Sequence, residues 1–149
     1  MNKLLEIKNL TKNYNTLMGE IKALDNLSFN LYDKEFLCII GSSGCGKSTL
    51  LNILANIETK TSGQINYNKK NLKMGYMLQE DCLLPWLSII DNATLGLELN
   101  HQKTKENIAY TKELLTKYGL KDFINKYPHE LSGGMKQRVA CINCRHFTY

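Results

Sequence analysis

The sequence has no long run of apolar residues and no block of charge of one sign. A membrane-spanning helix needs about 20 consecutive apolar residues, and the opening segment Met1–Glu6 lacks the apolar centre of a secretion signal. The net charge of +5 is spread along the chain, without an arginine-rich block or a basic run with interleaved aromatic residues. These absences argue against a membrane span, an exported protein and a nucleic-acid-binding protein, and we expect a cytoplasmic chain.

Internal repeats, low-complexity tracts and a disulfide-type cysteine pattern are also missing. The five cysteines are scattered, so reduced thiols are expected in a chain without an export signal. Cys141 and Cys144 have the spacing of a metal or redox motif, but no second ligand pair accompanies them, and a metal knuckle is the minor alternative. A chain of 149 residues with 43% apolar residues is typical of a single domain.

Glycine is concentrated in one stretch, and this stretch predicts the chemistry. From Gly41 to Ser48 the sequence satisfies G-x-x-x-x-G-K-[ST], the phosphate-binding P-loop. An apolar run over 35–40 predicts a buried strand before it, and the apolar spacing over 48–57 predicts a helix after it. The alternative, a glycine-rich turn with an exposed lysine, does not account for this order of strand, loop and helix.

The residue types of the loop suit a nucleotide bound with Mg²⁺. Glycines allow backbone N–H groups to turn inward around an anion, and the following helix adds its positive end. Lys47 would reach the β- and γ-phosphates, the Ser48 hydroxyl would bind Mg²⁺, and Thr49 would support the loop. The predicted contact set comprises Gly41, Ser42, Ser43, Gly44, Cys45, Gly46, Lys47, Ser48 and Thr49.

The rest of the chain predicts strands in the first half and helices in the second. Apolar patterns predict strands over 4–8, 27–31, 64–67 and 73–78, with a loop over 13–19, a polar break over 59–63 and a turn over 68–71. From Gln79 onward the segments are helical in pattern, and the clearest helix covers 104–118 with Gly119 as its stop.

A second motif, Ser132-Gly-Gly-Met-Lys-Gln-Arg138, places a hydroxyl and two glycines at the start of an amphipathic helix, where an anion can bind. Together with the P-loop, it resembles the signature motif of ATP-binding cassette (ABC) transporter subunits, and the resemblance covers about residues 4–140. A P-loop kinase or GTPase is disfavoured because the motif has no role there. The resemblance implies an α/β fold, a P-loop NTPase core with N-terminal β-strands and a helical subdomain. It divides the chain into a nucleotide-binding core (1–78), the helical subdomain (79–130), and the signature motif with a divergent tail (131–149).

The resemblance also assigns roles to residues outside the P-loop. Tyr14 matches the aromatic residue that stacks on adenine, and the alternative is an ordinary surface tyrosine. Gln79 matches the glutamine that approaches Mg²⁺ and the attacking water, so it joins Lys47 as a catalytic residue. Ser132, Gly133 and Gly134 match residues that contact the γ-phosphate of ATP held by a second subunit. A working site then needs two cassettes facing head to tail.

The resemblance further implies transport partners. The segment 81–100 would form the groove that receives a coupling helix from a membrane-spanning permease, which places the protein on the inner face of the cell membrane. The stretch over 79–98 is most similar to importers of nitrate, sulfonates, taurine and thiamine precursors. A solute-binding protein and the permease select the solute.

The sequence departs from the family after Ala140. Family members continue into a strand with the Walker B aspartate, a catalytic glutamate and a switch histidine, and His146 is not that histidine because no acidic strand precedes it. We therefore expect a sheet whose C-terminal part is missing, ATP binding without hydrolysis, marginal stability and a tendency to aggregate. The alternative to an importer subunit is a non-catalytic nucleotide-binding remnant of one.

Overall fold

A computed structural model describes residues 2–17, 19–68, 72 and 74–146. The chain forms two compact units, Met1–Leu72 and Lys73–Tyr149, and each has its own apolar core. The division into 1–78, 79–130 and 131–149 stays a prediction. The predicted turn over 68–71 lies mostly outside the described residues, as does Lys73 at the start of a predicted strand.

The first unit is a three-stranded antiparallel sheet with one helix. It contains β1 (Lys3–Thr16), β2 (Gly19–Tyr32), α1 (Lys47–Leu54) and β3 (Ser62–Tyr67), and β1 is the central strand. Because apolar side chains of the sheet and of α1 share one cluster, the helix packs on one face of the sheet. The buried members are Leu5, Ile7, Leu10, Leu24, Leu50 and Ile53.

A β-bulge in β1 decides which side chains face α1. The register shifts between Ile7 and Leu10 against β2 and between Lys8 and Thr11 against β3, and Asn9 has a φ of 51°. Ile7 and Leu10 are both buried although they are three positions apart, so the extra residue changes the alternation of faces. From Leu10 onward, Lys12 and Tyr14 consequently share the buried face.

The predicted strand over 35–40 is wrong. These residues form no strand and are exposed, with Phe36 94% and Ile40 90% accessible. A strand needs a neighbour to accept and donate its backbone hydrogen bonds, and the described strands pair only in the order β2-β1-β3. An apolar run predicts burial, but it carries no information on whether a pairing strand exists. The predicted strand over 73–78 fails in the same way across residues 74–78, which have no strand assignment.

The loop predicted over 13–19 is wrong for residues 13–16 and for Gly19, which pair in the hairpin, whereas Leu17 is a turn and Met18 lies outside the described residues. Asn13 pairs with Lys22, Tyr14 with Ile21, and Thr16 with Gly19. Tertiary pairing here overrides the low strand preference of asparagine. The helix predicted over 48–57 is confirmed but shorter, since α1 ends at Leu54 and Asn56 adopts a left-handed φ of 57°. The polar break predicted over 59–63 is likewise shortened, because β3 begins at Ser62.

The second unit is helical. It contains α2 (Ile89–Leu99), α3 (Lys105–Lys117), short 3-10 turns at Lys121–Phe123 and Pro128–Glu130, and α4 (Gly133–His146). The helix predicted over 104–118 is confirmed, with the Thr104 side chain capping its first turn. The core of this unit comprises Leu83, Ile89, Ala93, Leu115, Leu120, Leu131, Val139, Ala140 and Ile142. Across the described ranges, no helix combines the length and apolar character that a membrane crossing requires.

The segment that departs from the family pattern belongs to α4. Ile142 is buried, and the Asn143 side chain accepts a hydrogen bond from the backbone N–H of Gly96 at 3.2 Å. His146 Nε2 lies 3.1 Å from Thr111 Oγ1. Because the Thr111 hydroxyl donates to the Asn107 carbonyl, Nε2 is the donor to Thr111. Burial lowers the pKa of His146. The last described turn of α4 is therefore fastened to α2 and α3.

Candidate functional site

The loop from Gly41 to Gly46 leads directly into α1. Gly44 and Gly46 have φ angles of 79° and 92°, a region that L side chains rarely adopt. Gly46 is also the residue before α1, and a Cβ there would lie 2.3 Å from the Ala23 carbonyl oxygen. Position 46 consequently requires glycine, because both its φ angle and its packing against Ala23 disfavour a side chain.

Lys47 lies with its ammonium group inside the loop. Its Nζ donates to the carbonyl oxygen of Gly41 at 2.7 Å and of Ser42 at 2.6 Å. The first turn of α1 carries no acidic residue, so nothing within it offsets the positive end of the helix. The predicted loop residues are largely exposed. The arrangement presents a cation beside the N-terminus of a helix at one accessible place, as a phosphate requires.

Ser48 and Thr49 follow on the first turn of α1. The Ser48 hydroxyl is exposed, and a hydroxyl oxygen is a suitable ligand for Mg²⁺. Among the described residues no group of three His, Cys, Asp or Glu side chains can hold a metal ion. The donor set therefore fits Mg²⁺ only with phosphate oxygens and water as the other ligands. Thr49 points elsewhere, since its hydroxyl lies 3.4 Å from the Tyr14 hydroxyl.

Tyr14 lies beside α1, next to the predicted phosphate site. The Lys12 ammonium is 4.8 Å from the centre of its ring and 3.1 Å from the Glu58 carboxylate. A hydrogen bond from the Tyr14 hydroxyl, together with the Lys12 ammonium, lowers the pKa of Glu58. The structure thus joins Tyr14 to the P-loop helix through a polar cluster of Lys12, Tyr14, Thr49 and Glu58, named here the Tyr14 cluster.

Lys12 and Glu58 were not predicted from the sequence as site residues. Lys12 was detectable in principle, because residues two apart on a strand share a face and Lys12 stands two residues before Tyr14. Glu58 follows the end of α1, and no local pattern connects it with a strand more than forty residues earlier in the sequence. Only the tertiary fold brings the two together.

The signature residues open α4 in the second unit. The Ser132 hydroxyl accepts a hydrogen bond from the Met135 N–H at 3.4 Å, and its carbonyl accepts from Lys136 at 3.0 Å, so Ser132 caps the helix. Its hydroxyl proton remains available for an anion. A Cβ at Gly133 or Gly134 would meet nothing within 4 Å, which leaves the backbone here open to a close ligand.

Gln79 is exposed in a bend ahead of α2. The loop after it is fixed by the buried side chain of Asn92, whose Oδ1 accepts from the Leu84 N–H at 2.8 Å. The Asn92 Nδ2 donates to the carbonyls of Leu84, Leu87 and Ser88 at 3.0 to 3.1 Å. The first unit brings Tyr14 to the P-loop, whereas Gln79 and the signature residues belong to the second unit. The roles of all these residues stay predictions.

Loop, lysine and helix have the arrangement of the predicted phosphate site, and comparison with known proteins identifies the family of the chain. The model of the family described as ABC transporter matches residues 24–145, and the chain belongs to this family. It is 43% identical over 125 residues to a taurine import ATP-binding protein of Rhizobium johnstonii, covering 80% of this chain and 48% of that protein. It is 39% identical over 141 residues to a nitrate import ATP-binding protein of Synechocystis sp., covering 91% and 53%.

A solved structure shows the same fold. The ATP-binding cassette MJ0796, in a dimeric post-hydrolysis state bound to ADP and Pi, superposes with a TM-score of 0.83 and 30% sequence identity. The alignment covers 97% of this chain and 70% of that one. The α/β fold of an ABC ATPase cassette is thereby confirmed. The chain spans about half the length of the curated relatives that it matches.

Proposed function

We propose that the chain is the ATP-binding subunit of an ABC importer. The observation that carries this proposal is the P-loop, where the Lys47 ammonium lies among loop carbonyls beside the N-terminus of α1. Membership of a family of ATPases supports ATPase activity. ATP is the proposed ligand, held by backbone N–H groups over 41–46 and by Lys47, with Tyr14 stacked on adenine.

Each proposed residue has a physical task. Lys47 exchanges its bonds to the Gly41 and Ser42 carbonyls for bonds to the β- and γ-phosphates. The Ser48 hydroxyl would hold Mg²⁺ and Gln79 would approach it, as the resemblance implies, and the metal would neutralise charge on the phosphates when bound. Gln79 orients the attacking water, as the resemblance implies.

The signature residues act on a second cassette. The Ser132 hydroxyl, which caps α4 through its oxygen, donates its proton to the γ-phosphate of ATP on the facing subunit. Gly133 and Gly134 admit that phosphate close to the backbone. The dimeric state of the cassette MJ0796 supports such a pairing. Closure of two cassettes around ATP would then be the step that drives transport.

The proposed cargo is a small solute of the nitrate, sulfonate or taurine type, with a thiamine precursor as the further possibility. The support is the similarity to a taurine import protein and a nitrate import protein. The proposed partners are membrane-spanning permease subunits and, indirectly, a solute-binding protein. The subunit would work in the cytoplasm on the inner face of the membrane.

The second candidate function is nucleotide binding without turnover. The family places the Walker B aspartate and the catalytic glutamate after the signature helix, and these 149 residues contain no such acidic strand. A polypeptide of these residues alone then has the P-loop for binding but not the two carboxylates that the family places after the signature helix.

Binding of a labelled ATP analogue with Mg²⁺ to the 149-residue chain tests the proposal. We expect saturable binding, lost in Lys47→Ala and retained in Lys22→Ala, which removes the same charge from β2. Phosphate release from ATP by the same preparation separates the two candidates, because turnover supports the complete subunit and its absence supports binding alone. Failure of the folded chain to bind the analogue would contradict both.

A further inference from the structure

We propose that Lys12 and Glu58 are positioning residues that hold the Tyr14 ring for the adenine base. The inference rests on the proposed function and concerns the Tyr14 cluster. Lys12 acts on the ring face and Glu58 holds the Lys12 ammonium in place, so neither is assigned a contact with the phosphates.

The ammonium of Lys12 fixes one face of the ring. At 4.8 Å from the ring centre, it is within the range of a cation–π interaction, in which the cation is attracted to the negative face of the ring. A face covered by an ammonium group is closed to a base. The purine consequently has one face of Tyr14 available for stacking.

The hydroxyl end of the ring lies against the first turn of α1. The Tyr14 and Thr49 hydroxyl oxygens are 3.4 Å apart, and either can donate to the other. Thr49 belongs to the first turn of α1, next to Lys47 and Ser48. This contact therefore ties the orientation of the ring to the helix that would carry the phosphates, while the Glu58 carboxylate holds the Lys12 ammonium at 3.1 Å.

The cluster is built rather than incidental. The Lys12 side chain is only 12% exposed and the Glu58 side chain 22%, an unusual degree of burial for these residue types. Lys12 also donates to the Thr59 carbonyl at 2.7 Å. With two oxygen acceptors and one aromatic face, the ammonium is satisfied and held in one place. Loss of its charge would release both the ring face and the carboxylate.

A comparison of two ligands tests the proposal in the full 149-residue chain. Affinity is measured for ATP and for inorganic tripolyphosphate, each with Mg²⁺, because tripolyphosphate has the phosphates without the base. The variants are Lys12→Met, Glu58→Gln and Tyr14→Ala, and the matched control is Lys22→Met. Lys22 forms an exposed ion pair with Asp25 at 3.2 Å on the same sheet but does not contact Tyr14.

We expect the variants to weaken ATP and to spare tripolyphosphate. Tyr14→Ala should weaken ATP binding about 5-fold or more, since a stacked base contributes at least that factor. Lys12→Met should weaken it about 2-fold or more, since even an exposed cation–π contact contributes that factor and a desolvated one contributes more, and Glu58→Gln should change it in the same direction. Lys22→Met should leave the ratio of the two affinities unchanged.

Other outcomes overturn the inference. If Lys12→Met weakens ATP and tripolyphosphate equally, or changes neither, Lys12 does not position the base. If circular dichroism shows that Lys12→Met does not fold, the ratio of the affinities for ATP and tripolyphosphate is measured for Glu58→Gln instead and decides the question. If the wild-type chain binds neither ligand, the proposed function itself is contradicted. If the wild-type chain binds both ligands and the variants show no loss of ATP affinity, only the positioning role of Lys12 and Glu58 is contradicted.

Discussion

Two restraints act on Gly46, a positive φ and close packing, whereas only the positive φ acts on Gly44. Both residues have a positive φ, but a Cβ on Gly46 would meet the Ala23 carbonyl oxygen at 2.3 Å, whereas a Cβ on Gly44 would meet nothing within 4 Å. The loop conformation therefore depends on position 46 through β2 as well as through its own backbone.

Alanine substitutions separate these two effects. Gly44→Ala should cost about 1 kcal/mol of unfolding free energy, the strain of a non-glycine residue in this region. Gly46→Ala should cost roughly 3 kcal/mol or more, because the backbone of β2 must also move. Urea unfolding followed by circular dichroism measures both. Equal losses in the two variants would contradict the packing argument.

The site was predictable from the sequence wherever its residues are consecutive. Gly41 to Thr49 lie together because a P-loop is a local structure, and the sequence placed them at the junction of the loop and α1. Tyr14 was predicted by family resemblance, and the structure places it beside Thr49. Lys12 and Glu58 were not predicted, because their contact needs β1 and the segment after α1 to meet, which is a tertiary event.

Among the secondary structure elements, α2 has a side chain that organises the loop before it. Asn92 is 1% exposed and forms four hydrogen bonds with the backbone of 84–88. Its amide supplies both a donor and an acceptor, so it replaces the hydrogen bonds that an irregular buried segment cannot form with itself. Asn92 holds the loop that follows Gln79 together with the Asp81 carboxylate, which accepts from the Leu83 N–H at 3.2 Å.

Asn92→Ala should destabilise the second unit by about 2–4 kcal/mol, since it removes four hydrogen bonds and leaves the Leu84 N–H without its Asn92 partner. The matched control is Asn100→Ala at the C-terminal cap of the same helix, an exposed asparagine whose side chain donates to the His146 carbonyl. It should cost about 1 kcal/mol or less. Trp86 fluorescence during urea unfolding reports on this unit. A cost for Asn92→Ala as small as that of Asn100→Ala would show that the loop does not depend on it.

Elements with local stop and start residues were predicted best. The helix over 104–118 has its capping Thr104 and a left-handed Gly119, and the structure agrees to within a residue at either end. The strands predicted over 35–40 and 73–78 failed because pairing partners are not encoded in the run itself. In the segment predicted as a loop over 13–19, residues 13–16 instead pair with β2, although asparagines alone do not favour a strand.

Considered as a whole, the chain exposes apolar surface where the sequence predicted burial. Phe36, Leu37, Ile39 and Ile40 are 94%, 41%, 39% and 90% exposed, and their backbone belongs to no strand. An extended apolar segment with unpaired backbone groups is prone to pair with another chain. The segment 35–40 is thus the strongest candidate for self-association within the described part of the chain.

Phe36→Lys should reduce self-association without changing the melting temperature, because an exposed side chain contributes little to the folded state. The control is Asn15→Lys, which adds the same charge at an exposed position of β1. Sedimentation velocity over a range of protein concentrations measures association, and a thermal melt measures stability. Equal association of the two variants would assign the effect to net charge rather than to this segment.

The bulge at Asn9 makes the length of β1 as important as its composition. Leu5 and Ile7 set one parity of buried positions, and Leu10, Lys12 and Tyr14 set the other. Deletion of one residue at the bulge would restore strict alternation, so Tyr14 would turn to the opposite side of the sheet although every residue of the Tyr14 cluster is still present. A single substitution in this hairpin leaves the alternation of side chains between the two faces of the sheet unchanged. A single insertion or deletion reverses that alternation unless a second one compensates for it.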